Sequence, residues 1–123
     1  MIYDYSISPE TRFVHIIANG NYSISDIKNL IELVTNDERY RPEFNSIVDI
    51  QDVKYTPVVS EIIDFSNFII TIKKSFEAKV ALVVKGEILY NLFKISSHLS
   101  NKNGIKVDIF TDLEKAKNWI TEP

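Results

Sequence analysis

The sequence predicts an α/β domain with a mostly parallel five-stranded sheet, an antiparallel N-terminal strand and the element order ββαβαβαβα. Apolar runs of strand length alternate with segments of helical periodicity, which is the pattern of βα crossover units. The run 79–84 is apolar without alternation, as is typical of a parallel strand covered on both faces. The run 105–109 alternates strictly, which indicates an edge strand with one solvated face. The 123 residues fit one domain spanning 1–123.

The N-terminal part predicts a β-hairpin followed by a helix. The runs 2–8 and 11–18 are extended, and Ser8-Pro9-Glu10 between them is a turn signal, so the first strand is expected to be antiparallel and at or near an edge. Ser23 is suited to cap the helix that follows. The buried stripe of this helix is predicted to be Ile27, Leu30, Ile31 and Val34.

A strand at 46–51 leads into the most apolar helix of the chain, predicted over 57–74, with Pro57 in its first turn. Its apolar residues span roughly 220° of the helix surface, whereas a surface helix needs only about 100°. They are Val58, Val59, Ile62, Ile63, Phe65, Phe68, Ile69, Ile70 and Ile72. Three explanations stay open: burial on two sides, a dimer contact, or one wall of an apolar ligand cavity. The interface candidates are Ile63, Phe68 and Ile70.

The C-terminal part predicts two more helices separated by the edge strand. The helix of about 87–100 is expected to turn inward Ile88, Leu89, Leu92, Phe93, Ile95 and Leu99. Thr111 and Glu114 match a capping box that opens a final helix over 112–121. If successive strands are sheet neighbours, most helices fall on one face. Either a helix then wraps to the other face or a second subunit covers it, so a homodimer is expected as one solution.

Composition excludes several classes of function. The net charge is -3 and no more than two basic residues adjoin, so nucleic acid is not expected as a partner. The chain has no cysteine and no apolar stretch near the roughly 20 residues that span a bilayer. Its first residues show no basic region followed by an apolar run, so a targeting segment is not expected. We therefore expect a soluble cytoplasmic protein without a membrane span, a metal or a cofactor.

Catalytic signatures are absent from the sequence. No nucleophile motif occurs, and His15 and His98 have no partner at metal-ligand spacing. His15 shares a strand face with Phe13 and is expected to be a packed sheet histidine. Asp49 and Asp52 are expected on opposite strand faces, where they form a poor acid–base pair. The sequence therefore predicts no catalytic residue and no enzyme, and an enzyme that uses His15 or the loop carboxylates is the third alternative.

A ligand or partner site is expected at the carboxyl ends of the parallel strands, where ligands gather in α/β sheets. The alternative is that the polar residues there are ordinary loop residues. The candidates are Tyr22, Asp52, Lys54, Tyr55, Thr56 and Lys85.

Several strings together resemble a known group of proteins. They are the opening hairpin, SIVDIQDV at 46–53, KVALVV at 79–84 and VDIFTDLEKAKNWI at 107–120. With these strings the chain resembles STAS-like proteins, the fold class of bacterial anti-sigma-factor antagonists. More narrowly, it resembles the SpoIIAA-like branch of small bacterial proteins, which is grouped by fold with lipid-binding SEC14-type domains.

The resemblance implies a test at the start of the second long helix. In the antagonists an Asp near the strand end, matched here by Asp49, precedes an Asp-Ser pair whose serine is phosphorylated to switch partner binding. Those two positions fall on Pro57 and Val58, neither of which can accept phosphate. Whether Thr56 or Ser60 takes that role stays open.

From these points we predict a non-enzymatic binding or regulatory module that acts through contact with an unidentified protein and lacks the antagonists' phosphoacceptor serine. The alternative is a carrier or sensor of a small apolar ligand such as a lipid or fatty acid.

Overall fold

The computed structural model describes residues 2–123 and contains five strands and four α-helices. The strands are β1 (Ile2–Ser8), β2 (Phe13–Gly20), β3 (Asn45–Val53), β4 (Val80–Val83) and β5 (Val107–Phe110). The helices are α1 (Ile24–Thr35), α2 (Val59–Thr71), α3 (Glu87–Lys102) and α4 (Leu113–Thr121), with a short 3-10 helix at Lys73–Ser75. The element order is the predicted ββαβαβαβα.

The strands form one sheet in the order β1-β2-β3-β4-β5, so every strand lies beside its neighbour in sequence. β1 pairs antiparallel with β2, and all other pairs are parallel, as predicted. In β4, Ala81, Leu82 and Val83 are all buried, which confirms that this strand is covered on both faces. β5 lies at the edge opposite β1.

Three helices build the main core on one face of the sheet. Val14 and Ile16 of β2 and Val48 of β3 point into this core, where they join the buried side chains of α1, α2 and α3. The predicted stripe of α1 is buried in full. Phe65 of α2 meets Phe93 of α3 edge to face, with ring centroids 6.1 Å apart. This contact joins the two helices over the centre of the sheet.

The opposite face is covered by α4, which packs against β3, β4 and β5. Ala116 and Ile120 are buried there against Ile47 and Ala81. Lys79 holds the end of α4, because its Nζ donates 2.8 Å hydrogen bonds to the carbonyl oxygens of Trp119 and Glu122. A helix of the same chain thus lies on the second face, while Ile17 of β2 stays 38% exposed.

Two helix starts differ from the prediction. Ser23 caps α1 as expected, and its capping box is closed by Asp26. Pro57, however, lies before α2 rather than in its first turn, because Val58 is the N-cap and still has an extended backbone. α4 is capped by Asp112, whose carboxylate accepts the Glu114 N–H at 2.8 Å, and not by Thr111. Aspartate is at least as good an N-cap as threonine.

The inward face of α3 was predicted wrongly at two positions. Ile88 is 70% exposed and Ile95 is 36% exposed, although Phe93 is buried as expected. The buried face carries serines instead: Ser96, Ser97 and Ser100. Ser97 can be buried because its Oγ donates a 2.7 Å hydrogen bond to the carbonyl oxygen of Val107.

Over residues 2–123, no helix combines the length and the apolar character needed to cross a membrane.

Candidate functional site

The six predicted site residues lie in different environments near the carboxyl ends of the parallel strands, with Asp52 still inside β3. Tyr22 is 1% exposed and belongs to the main core, so it does not rim a surface site. Its hydroxyl has no hydrogen-bond partner within residues 2–123, and burial raises its pKa. Tyr55 is half-buried. The other four, Asp52, Lys54, Thr56 and Lys85, are exposed.

The backbone brings the exits of β2 and β3 together. Asn19 lies opposite Asp52 in the register, and the Lys54 N–H donates to the Gly20 carbonyl at 2.8 Å. The side chains of the four exposed candidates form no hydrogen bond or ion pair within residues 2–123. The strand ends are therefore neighbours, but their polar side chains do not assemble into a defined constellation.

One ordered polar contact exists beside these exits, between Tyr55 and Glu61. The Tyr55 hydroxyl donates a 2.5 Å hydrogen bond to Oε2 of Glu61, and Oε1 accepts the Val58 N–H at 3.0 Å. The hydrogen bond from Tyr55, helped by the Val58 N–H, lowers the pKa of Glu61. The same bond and partial burial raise the pKa of Tyr55. Glu61 was not predicted, although its place three residues after the N-cap is a capping signal.

This Tyr55–Glu61 contact fixes the start of α2 next to an exposed apolar region. Val58 is 60% exposed, Val59 49% and Ile63 42%. Phe68 marks the flank of α2 that faces α1, because Lys28 of α1 lies over its ring at 5.8 Å. At about 100° per residue, Val59 and Ile63 lie on the other flank of α2.

The other flank of α2 faces α3, which packs against it. On α3, Ile88 and Ile95 are seven residues apart, so they lie on the same side of the helix, and both are exposed. We call Val58, Val59, Ile63, Ile88 and Ile95 the α2–α3 apolar surface. It lies on the outer side of two helices that run parallel, since both follow parallel strands.

The predicted interface residues differ in their exposure. Ile63 is part of the α2–α3 apolar surface. Phe68 and Ile70 are half-buried and pack against the main core, so much of their area is already used within the chain. Ile62, Phe65 and Ile69 are buried, so core packing explains why these three positions of α2 are apolar. The wide apolar arc thus combines a core face with an exposed flank.

A cavity lies between α2, α3 and the sheet, but its volume is only about 50 Å³. Its wall is apolar apart from hydroxyl groups, among them Ser96 and Ser100. Pockets for small organic ligands measure about 300–1,000 Å³. The predicted apolar wall of α2, represented here by Phe65 and Ile69, therefore borders a space too small for a fatty acid.

Among the titratable side chains that the sequence singled out, His15 of β2 and Asp49 of β3 lie on adjacent strands. His15 is half-buried on the β2 face beside Phe13, and burial lowers its pKa although the nearby Asp49 raises it. Asp49 accepts hydrogen bonds from the backbone and side chain of Gln51, within its own strand. Residues 2–123 contain no cluster of three His, Asp or Glu side chains that could hold a metal ion.

Comparison with solved structures shows the fold. The chain is similar to an uncharacterized protein from the DUF3478 family of Shewanella loihica PV-4, which has a SpoIIAA-like fold. The TM-score is 0.58 at 17% sequence identity, and the match covers 88% of this chain and 83% of that one. The chain therefore has a SpoIIAA-like fold, as the sequence indicated. No protein-family model matches the sequence, and no curated protein matches it either.

Proposed function

We propose that this SpoIIAA-like domain is a non-enzymatic binding module that contacts a protein partner through the α2–α3 apolar surface. The observation that carries the proposal is the exposure of five branched apolar side chains on two adjacent helices. Ile88 alone leaves 70% of its surface in water. Clustered apolar side chains that stay exposed in a folded monomer mark contact sites, because covering them releases ordered water.

The order of the loop before α2 supports this proposal. Tyr55 and the Val58 N–H both bond Glu61, so the exposed valines are presented by a fixed backbone. A preformed surface loses less conformational entropy on binding than a flexible one does. Ile62 of the same helix is fully buried in the main core and anchors the helix on its sheet-facing side.

The N-cap of α2 supports a contact that is not switched by phosphorylation at that position. Val58 occupies the N-cap and carries no hydroxyl. In the antagonists that this chain resembles, the phosphoacceptor serine begins the corresponding helix. An apolar residue there adds area to a contact surface, whereas a phosphate would disrupt it. Thr56 and Ser60 are exposed nearby, and their modification is a separate question for mass spectrometry.

The experiment compares capture of partners by immobilised wild-type protein and two surface variants from an extract of the source cells. Val59→Lys and Ile63→Lys place a charge on the α2–α3 apolar surface without filling core space. The matched control is Leu33→Lys, which charges an exposed leucine on α1 that is 44% exposed. We expect both surface variants to lose the same partner while the control keeps it.

Circular dichroism and thermal unfolding show that each variant is folded before it is compared. Retention of the same partners by folded Val59→Lys and Ile63→Lys would contradict the proposal. Sedimentation velocity on the same samples tests whether the partner is a second copy of this chain. A dimer that becomes a monomer in Ile63→Lys, but not in Leu33→Lys, would identify the surface as a homodimer contact.

A further inference from the structure

A second concave region lies on the sheet face that α4 covers, at the opposite end of the strands from the α2–α3 apolar surface. It is a groove of about 380 Å³ between the start of β2, the start of β3 and the last turn of α4. Phe13, Ile47 and Ile120 form its apolar floor. Its volume lies within the range of about 300–1,000 Å³ that small-molecule pockets occupy.

Two of the polar side chains that line this groove, Asn45 and Thr121, already have partners inside the chain. Asn45 donates through Nδ2 to the carbonyl oxygen of Ile120 at 3.3 Å and accepts the Lys79 N–H through Oδ1 at 3.0 Å. The Thr121 hydroxyl donates back to α4, to the carbonyl oxygens of Lys117 and Asn118. A peptide lying in the groove would therefore lose water from its backbone groups without gaining bonds from these side chains. A hydrocarbon chain has no such groups to satisfy.

The rim of the groove is cationic and includes no carboxylate among its lining residues. Arg12 and Lys117 line it from opposite sides, one at the end of the β1–β2 turn and the other on α4. The Arg12 guanidinium forms no hydrogen bond or ion pair within residues 2–123. Lys117 has only a long contact with the exposed Glu114, at 3.7 Å, so it too can meet an anion.

The backbone around Arg12 is held in an unusual conformation that directs this side chain. Arg12 has φ of 55°, a left-handed value that glycine or asparagine adopts more readily. Its N–H donates to the Pro9 carbonyl at 3.3 Å, and its carbonyl accepts the Asn45 N–H at 3.1 Å. The turn is thus tied to β3, and its one guanidinium is carried at the edge of the groove.

We propose that this groove binds an acyl carboxylate, with the hydrocarbon chain along Phe13, Ile47 and Ile120 and the carboxylate between Arg12 and Lys117. The apolar floor of Phe13, Ile47 and Ile120 selects the hydrocarbon chain. The two cations at the rim select the negative charge. This site is separate from the proposed protein contact, because it uses other elements at the other end of the sheet.

The test uses octanoate as the probe and octan-1-ol as its uncharged counterpart, in ¹⁵N NMR titrations of the full chain. Octanoate is expected to shift the amides of Arg12, Phe13, Ile47 and Thr121 in a saturable way. Octanol should bind more weakly, since it offers no charge to the rim. A peptide with a free C-terminal carboxylate and apolar side chains is the third probe and should not saturate these signals.

Two variants separate the charge from the fold. Arg12→Gln and Lys117→Gln should each weaken octanoate binding by about threefold, as expected for exposed ion pairs, and leave octanol binding unchanged. Lys115→Gln removes an exposed cation from the same helix outside the groove and should have no effect. Equal binding of octanol and octanoate, no effect of the two rim variants, or preferential binding of the peptide would each overturn the proposal.

The variants of the α2–α3 apolar surface provide an independent check. Val59→Lys and Ile63→Lys should leave octanoate binding unchanged, whether or not they abolish partner capture. The two proposals can therefore fail separately.

Discussion

The hydroxyl of Tyr55 and the carboxylate of Glu61 are joined by a 2.5 Å hydrogen bond that closes the loop before α2. The second oxygen of that carboxylate bonds the N–H of Val58, the N-cap residue. One glutamate thus fixes both the loop and the first turn of the helix. This contact holds the exposed valines of the α2–α3 apolar surface in place.

The Tyr55–Glu61 contact should depend on pH. Because the folded pKa of Glu61 is lowered, the stabilisation is present above the pKa of this carboxyl in the unfolded chain and is lost as pH falls through the folded pKa. Because the pKa of Tyr55 is raised, its contribution to stability is complete below the ordinary pKa of tyrosine. That contribution is lost as pH rises through the folded pKa of Tyr55. Tyr55→Phe should move the Glu61 pKa up towards its usual value in a ¹³C carboxyl titration. Tyr3→Phe is the control, and an equal shift in both variants would contradict the assignment.

The N-cap of α2 should be improvable. Val58 has the extended backbone of an N-cap but no oxygen to accept a first-turn N–H. Val58→Ser should therefore raise the free energy of unfolding by about 1 kcal/mol, measured by urea denaturation. Val59→Ser makes the same chemical change at the first helical residue, where no cap can form. If both variants changed stability equally, capping would not be the cause.

The left-handed turn residue should also carry a measurable strain. Arg12→Gly at φ of 55° should stabilise the chain by about 1 kcal/mol, since glycine has no Cβ to clash in this region. Thr11→Gly should instead lower stability, because it only adds freedom to the unfolded chain. Thermal and urea unfolding measure both effects. A loss of stability in Arg12→Gly would show that contacts of the arginine outweigh its backbone strain.

Two buried serines one turn apart on α3 should respond in opposite ways to alanine. Ser100 is 1% exposed and its Oγ has no hydrogen-bond partner within residues 2–123, so Ser100→Ala should gain about 1 kcal/mol in free energy of unfolding. Ser97 donates to the Val107 carbonyl, so Ser97→Ala should lose about 1 kcal/mol. Urea denaturation of the two variants gives the comparison. A loss in Ser100→Ala would mean that this hydroxyl has a partner in solution.

Local patterns predicted the fold well because they report burial directly. The alternation along a strand shows how many faces are covered, and the uniform run at β4 correctly indicated two. The apolar stripe of α1 predicted its buried side chains equally well, because a helix with one apolar stripe buries that one side. The same pattern predicted the buried face of α3 less well. Its apolar residues include the buried Phe93 but also Ile88 and Ile95, which are exposed.

The candidate site could be predicted only in part. The sequence placed Asp52, Lys54 and Lys85 after strands, but their side chains gained no partners from the fold. Tyr22 follows a strand as well, yet it turns into the core. A strand end specifies where the backbone leaves the sheet, whereas the direction of each side chain depends on what packs around it.

The sequence by itself determined the order of elements, the antiparallel first strand and the coverage of β4 on both faces, because these follow from periodicity and turn residues within short windows. Only the tertiary structure decided that α4 alone of the four α-helices lies on the second face, that Val59 and Ile63 remain exposed, and that Arg12 and Lys117 share one groove. Those facts depend on contacts between residues far apart in the chain. A single sequence contains no direct record of such distances.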